Sequence, residues 1–380
     1  MKFPTLYYGR GALRQLRKMS QKKILVVTDK NVKEIHGDLI SKFLRKNEII
    51  FFDDVEPDPK DITITKGGEV AREFKPDIII GFGGGSVMDS AKIIYFLYER
   101  EDMTLYDCNP SNATDLGQKS ELLLIPTTSG TGAESTGGSI VTNTKTGQKI
   151  VLASVELVPK KVIIDPKLPL KMPPRLTSST GLDALAHAIE GMMTDLATDF
   201  TDAMHLHAIR LIIKYLPSAV GEGADDINVR ERMHNAASIT GLALGYSFAV
   251  NAHACGHSLG AVHHIQHGIA VGIMLPYIIE FNKPKCAENY EIILNSLNLS
   301  IEDDATKTLA NLIRNFLNKV NVPISLKELG ISKQDWDQKL EKLVTFAKTD
   351  AASVANPKNT SEEDFRKILE YAYEGKPIDF

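Results

Sequence analysis

Three observations on the sequence predict a two-domain α/β protein. Short continuous apolar runs alternate with amphipathic helical patterns through the first half, the second half carries helical patterns alone, and 380 residues exceed what one small core needs. The first half is read as a doubly wound parallel-sheet domain over residues 1–177, and the second as an all-helical domain over residues 178–380.

A strand covered on both faces is apolar throughout, which is the mark of a parallel sheet under helices. KKILVVT (22–28), EIIFFD (48–53) and PDIIIGFGGGS (76–86) are runs of this kind, and helical spacing fills 31–45, 62–74 and 87–98. Further short strands are expected at 122–126, 139–142, 149–152 and 162–165. Four prolines between Pro166 and Pro174 separate the halves, which puts the boundary near 175–179. Beyond Ser178 the β-runs stop, and helical patterns cover 181–194, 199–216, 229–245, 301–320, 333–346 and 362–373.

An apolar content of 43% and a charged content of 24% describe an ordinary globular chain. The net charge of −4, with both signs interspersed, argues against a nucleic-acid or anionic-membrane partner, since both need concentrated Lys and Arg. Cys108, Cys255 and Cys286 are few, odd in number and not spaced as CxxC, and the opening MKFPTLYYGRGAL lacks an apolar export core. Reduced thiols in a cytoplasmic protein are the expectation.

Residues 233–279 contain no Asp, Glu, Lys or Arg, yet they hold six of the ten histidines: His234, His253, His257, His263, His264 and His267. Repeated Gly and His argue against a membrane span, so this is a buried segment whose imidazoles need partners.

Two glycine-rich loops follow strands in the first half, GFGGGSVMDSAK and TTSGTG. The first lets the backbone approach an anion and opens onto a helix, whose free N–H groups and dipole favour a phosphate. The second adds hydroxyl and backbone donors suited to a pyrophosphate or nicotinamide. Any tight turn uses Gly; it is the pairing of two such loops at strand ends that favours a cofactor.

In STGLDALAHAIEG, Asp183 and His187 stand four apart on one helix face, with Glu190 close to it. Such a pair either grips a divalent cation or simply charges a helix surface. His253 and His257 are four apart, as are His263 and His267. On one straight helix His253 and His267 would lie about 21 Å apart, too far to share an ion. Gly256 and Gly260 offer places to break, and Gln266-His267-Gly268 a place to restart. The resulting hairpin would set His253 and His267 opposite Asp183 and His187. One carboxylate with up to three imidazoles suits Fe²⁺ or Zn²⁺ better than Ca²⁺ or Mg²⁺, although spacing alone does not choose the ligands.

GGGSVMDSAK (83–92), IPTTSGTGAE (125–134), GLDALAHAIEG (181–191) and the His253, His257, His267-Gly268 arrangement occur in this order, with Asn356-Pro357-Lys358 ahead of the last helix. Across essentially the whole chain this resembles the iron-dependent (group III) alcohol dehydrogenases. The resemblance implies metal ligands at Asp183, His187, His253 and His267, and a non-ligand imidazole beside metal and nicotinamide at His257. It implies a pyrophosphate loop at Gly83, Gly84, Gly85 and Ser86, running on to Asp89, and a nicotinamide-side loop at Thr127, Thr128, Ser129 and Thr131. Lys149 corresponds to a cofactor-contacting lysine, and Asp29 in VVTDK to an acidic residue near the adenosine ribose, where a carboxylate favours NAD over NADP. The usual dinucleotide fingerprint places this acid after the glycines; here it precedes them.

The implied activity is metal-dependent, NAD(H)-linked interconversion of a primary alcohol, short diol or hydroxy acid with its aldehyde. The dication, Fe²⁺ or alternatively Zn²⁺, eases loss of the alcohol proton, hydride passes between carbon and nicotinamide, and His257 relays the proton. With cofactor and metal on different domains, the expected site is the cleft between them, in a protein expected to be a homodimer. Zinc-dependent glycerol-type dehydrogenases and dehydroquinate-synthase-like lyases are alternatives that the four-residue ligand set disfavours. A metal-dependent hydrolase would leave the glycine loops and Asp29 unexplained. His205, His207, His234, His263, His264 and Cys255 are read as packed, capping or exposed residues, with His263 or His264 also considered as pocket lining.

Overall fold

The computed structural model describes residues 1–301 and 304–380. Its contacts divide the chain into two compact units, Met1–Met172 and Pro173–Phe380. The expected division was 177/178; the helix that opens the second unit begins earlier, with Pro173 and Pro174 at its start, where a missing N–H costs nothing.

The first unit contains β1 (Thr5–Tyr8), β2 (Lys23–Val27), β3 (Glu48–Phe52), β4 (Ile78–Gly83), β5 (Glu121–Pro126), β6 (Gly138–Thr142), β7 (Lys149–Ala153) and β8 (Lys161–Ile164). Six of these form one parallel sheet in the order β1-β8-β5-β4-β2-β3, while β6 and β7 pair as a separate antiparallel ribbon. The helices between strands are α1 (Lys30–Leu44), α2 (Asp61–Phe74) and α3 (Gly85–Glu99). Strand residues alternate between two cores, as a pleated strand requires. Ile24, Val26, Ile78, Ile80, Leu123 and Ile125 pack with Ile40 and Leu44 of α1. Leu25, Val27, Ile79, Leu122 and Leu124 pack with Ile64 of α2 and Ile94 of α3. Helices on both faces explain why these strands read as unbroken apolar runs.

β2 lies between β3 and β4, so the chain moves to one side of β2 and then returns to the other. In open α/β sheets ligands bind outside the strand C-termini at such a reversal. Here those termini run into Asp29 from β2 and the glycine loop from β4.

The second unit is helical: α4 (Pro174–Glu190), α5 (Asp199–Val220), α6 (Ile227–Ser247), α7 (Asn251–His263), α8 (His267–Phe281), α9 (Lys283–Ser296), α10 (Ala305–Lys319), α11 (Lys333–Thr349) and α12 (Glu362–Glu374). Residues 302 and 303 of the helix expected over 301–320 lie outside the described residues; Asp304 caps α10 through its side chain. The sequence patterns missed β1, a short strand with mixed exposure at the sheet edge, and α9, whose sequence is largely polar. α4 and α8 are buried over most of their surface, and α8 packs on α4, α7 and α10. No described helix is long and apolar enough to cross a membrane.

Candidate active site

Three helices carry the candidate metal ligands. α4 presents Asp183, His187 and Glu190, α7 presents His253 and His257, and α8 begins at His267. The histidine-rich segment is a hairpin, but neither Gly256 nor Gly260 breaks it, for both lie inside α7. The break is at His264, in the left-handed conformation with φ 55°, whose N–H closes the helix on the Gly260 carbonyl at 3.1 Å. Gly256 serves the packing instead, since a Cβ there would run into Val271 of α8. A Cβ at Gly268 would meet the carbonyl oxygen of Ser179, so the first turn of α8 sits directly on α4.

This packing gathers the expected residues. Asp183, His187 and His253 each offer one ligand atom, all within 4.8 Å of one another. His253 Nε2 lies 3.4 Å and His267 Nε2 3.2 Å from Asp183 Oδ1, with His187 Nδ1 at 4.0 Å. The His187 and His253 rings stack at 4.2 Å, and His257 stacks on His267 at 5.1 Å. Among the described residues, Asp183 Oδ1, His187 Nδ1 and His253 Nε2 are buried side-chain atoms with no hydrogen-bond partner. Leaving such groups unpaired costs about 1–3 kcal/mol each. One carboxylate and three imidazoles arranged in this way fit Fe²⁺ or Zn²⁺.

Glu190, fully buried, supports the cluster from behind. One carboxylate oxygen accepts a hydrogen bond from His253 Nδ1, and the other accepts the N–H groups of Ala252 at 2.7 Å and of Val250 and His253 at 3.3 Å. Burial works against a charged His253, but Glu190 and Asp183 hold it up to about 10. Burial pushes His187 down to about 3, and the ring nitrogens of His267, set inside the cluster although its side chain is 29% exposed, down to about 4. Asp183 and Glu190 thus flank His253 on its two ring nitrogens, Glu190 at Nδ1 and Asp183 3.4 Å from Nε2. The sequence placed Glu190 near the right face but held no signal that it pairs with a histidine 63 residues away.

The remaining histidines are placed differently. His257 Nδ1 is 2.9 Å from Asp350 Oδ2, a partner 93 residues distant that no local pattern announces. His205 bonds Ser247 Oγ at 2.8 Å in the core, His234 is buried and His207 exposed. His263 stacks on Trp336 and lies 3.3 Å from Asp335, while His264 ends α7. Cys255 is fully buried, and burial pushes its thiol up.

In the first unit the two glycine loops lie side by side because β4 and β5 are neighbours, with Gly83 paired to Pro126. Thr127 N donates to the Gly83 carbonyl at 2.9 Å. A Cβ on Gly85 would be 2.6 Å from Thr131 Cγ2, and one on Gly84 would be 3.4 Å from Thr128. Gly84 caps α3 with no side chain, so the first-turn N–H groups of α3, including that of Ser86, are not covered by a cap. Thr127 and Ser129 are buried, Thr128 and Thr131 half-buried. Asp29 caps α1, its Oδ1 accepting the Val32 N–H at 2.9 Å, and the adjoining Thr28 hydroxyl donates to the Phe82 carbonyl at 2.7 Å. The acid that precedes the glycines in sequence therefore stands on the neighbouring strand end in space.

Two residues are engaged by the protein itself. Asp89 Oδ2 accepts the Ile140 N–H at 3.0 Å, and its Oδ1 lies 3.6 Å from Nζ of the fully buried Lys92, which donates to the Gly138 carbonyl at 2.6 Å. This cluster ties α3 to β6. Lys149 Nζ is 2.6 Å from Asp58 Oδ1. A lone lysine in the apolar middle of α3 was the available sign of Lys92.

A doubly wound sheet unit with paired glycine loops, joined in one chain to a helical unit with a buried carboxylate–imidazole centre, is the build of a metal-dependent oxidoreductase. Residues 4–166 match the family profile described as iron-containing alcohol dehydrogenase, and residues 177–373 that of the Fe-containing alcohol dehydrogenase family, C-terminal. The chain belongs to the iron-containing alcohol dehydrogenase family. It is 36% identical to the NADPH-dependent butanol dehydrogenase of Clostridium saccharobutylicum, over 99% of this chain and 98% of that one. It is 32% identical to the aldehyde-alcohol dehydrogenase of Streptococcus pneumoniae over 99% of this chain but only 46% of that protein, spanning about half its length. The solved iron-containing alcohol dehydrogenase of Thermococcus thioreducens superposes with a TM-score of 0.90 at 27% identity, over 99% of this chain and 100% of that one.

Proposed function

We propose that Asp183, His187, His253 and His267 hold one Fe²⁺ or Zn²⁺ ion, with which the chain interconverts a primary alcohol and its aldehyde using NAD(H). The observation that carries this reading is the convergence of Asp183 Oδ1, His187 Nδ1 and His253 Nε2, buried and unpartnered among the described residues, beside His267 Nε2. When bound, the cation supplies Lewis acidity toward an alcohol or carbonyl oxygen. His257 takes and returns the alcohol proton, a role supported by a buried Nε2 that has no partner among the described residues.

Gly83, Gly84, Gly85 and Ser86 hold the pyrophosphate at the start of α3, and Thr127, Thr128, Ser129 and Thr131 the nicotinamide side. Asp89 and Lys149 complete the cofactor-binding set, Asp89 held by the Ile140 N–H and Lys149 paired with Asp58. Asp29 accepts hydrogen bonds from the ribose hydroxyls and repels a 2′-phosphate, so NAD(H) is preferred here although the clostridial relative is named NADPH-dependent. The naming of that relative also supports linear primary alcohols such as 1-butanol as substrates. Three buried free thiols suit a reducing cytoplasm, and the sheet-edge strand β1, with exposed Tyr8, suits pairing in a homodimer.

The test is a panel of 1-alkanols, diols and their aldehydes with NAD(H) and NADP(H), on protein reconstituted anaerobically with Fe²⁺ or Zn²⁺. Metal-dependent NADH formation with 1-alkanols is the expected result, and turnover in metal-free protein would overturn the reading.

A further inference from the structure

The Asp350 carboxylate has its two oxygens divided between two tasks. Oδ1 accepts the Ala352 N–H at 2.9 Å, which starts the 3₁₀ turn Ala351–Ala355 just after α11 ends. Oδ2 lies 2.9 Å from His257 Nδ1, with both side chains about a tenth exposed or less: 9% for His257 and 11% for Asp350. Burial works against ionisation of Asp350, but the hydrogen bonds it accepts from His257 and Ala352 help hold the carboxyl below its usual value.

Resting on the reading of His257 as the group that handles the alcohol proton, we propose that Asp350 is a positioning residue that fixes the tautomer of His257. An ionised carboxylate only accepts hydrogen bonds, so the proton on a neutral His257 must sit on Nδ1. The lone pair is then on Nε2, the buried atom with no partner among the described residues. The ring cannot easily turn over to exchange its nitrogens. One edge is anchored to Asp350, one face stacks on His267 at 5.1 Å, and His253 stands edge-on at 6.0 Å. Asp350 thus does for the proton acceptor what Glu190 does for His253, presenting one defined nitrogen.

The competing account is that Asp350 merely ends α11 and caps the turn after it. Asp350→Asn separates the two. The side-chain carbonyl of asparagine can still accept the Ala352 N–H, so the cap and the volume persist, but the amide NH₂ then faces His257 Nδ1. Nδ1 must become an acceptor, the proton moves to Nε2, and the base is lost without a change of shape.

The experiment compares the parent protein, Asp350→Asn and His257→Gln, each loaded with Zn²⁺. Metal content is measured, kcat and KM are obtained for 1-butanol with the coenzyme the parent turns over faster, and the histidine ring ¹⁵N resonances are recorded, His257 being assigned by its absence from His257→Gln. We expect the Nδ1–H tautomer at His257 in the parent and Nε2–H in Asp350→Asn, with metal content and KM held and kcat lowered about a hundredfold, the low end for loss of a general base. An Nε2–H tautomer in the parent overturns the inference even if Asp350→Asn fails to fold, as does an undiminished kcat in that variant. Loss of kcat in His257→Gln but not in Asp350→Asn defeats the role of Asp350 alone. Full kcat in His257→Gln defeats the proton-handling reading on which it rests, and loss of metal there would make His257 a ligand and defeat both.

Discussion

Glu190 on α4 holds His253 on α7 from both ends, binding its ring nitrogen with one carboxylate oxygen and the backbone N–H groups of Val250, Ala252 and His253 with the other. One side chain therefore fixes both where the helix starts and which nitrogen of the imidazole faces Asp183. Glu190→Gln, of nearly equal volume, should weaken Zn²⁺ binding by about 10- to 100-fold, the usual cost of losing a carboxylate behind a histidine ligand. Competition with a chromophoric chelator reads this directly. An unchanged affinity would leave Glu190 with only the backbone to hold.

His267→Ala should lose metal and activity together while the fold persists. Its side chain is 29% exposed and opens α8 rather than filling the core, so truncation removes little packing. Metal content, turnover and the thermal midpoint of metal-free protein form the check; stoichiometric metal with normal turnover would remove His267 from the ligand set.

Asp29→Gly should raise the relative efficiency with NADP⁺. Removing a carboxylate about 4 Å from a phosphate is worth roughly 1–4 kcal/mol, so the NADP⁺/NAD⁺ ratio of kcat/KM should rise at least about fivefold. Asp29 also caps α1, but glycine is a tolerated cap, and stability should fall by only about a few tenths of a kcal/mol. A fixed ratio would remove Asp29 from the ribose.

His205 makes stability depend on pH in a defined direction. Burial pushes it down to about 4 from 6.5, so the unfolded chain takes up its proton first as pH falls. Its contribution is intact above pH 6.5 and is lost progressively between about 6.5 and 4, reaching ~3 kcal/mol if the whole shift is expressed. In urea unfolding of metal-free protein, His205→Gln should flatten the decline of stability over this window. An equally steep decline in both proteins would exclude His205 as its source.

What the sequence disclosed follows from how local each signal is. Ile78–Gly83 reads as a strand because burial on both faces makes every residue apolar, and His267 reads as a helix start from its neighbours alone. Helix rise was enough to demand a break between His253 and His267, yet the break fell at His264, in the left-handed conformation, while Gly256 packs closely on Val271 inside α7. The partners of the site residues were hidden for another reason. Glu190 with His253 and Asp350 with His257 are joined by the packing of helices far apart in the chain, and nothing within a few residues of either histidine encodes that. The same holds for Asp29, whose nearness to the glycine loop depends on β2 and β4 being neighbours.

Every residue of the carboxylate–imidazole centre, with Glu190, His257 and Asp350, comes from the chain after Met172, while Asp29 and both glycine loops come before it. On the proposed assignments, the two halves of the chemistry are separable by inheritance. Coenzyme choice can drift through changes in one unit without disturbing the donor atoms of the other, and a chimera exchanging residues 1–172 for those of a relative with the other coenzyme would carry that preference across without altering the metal set.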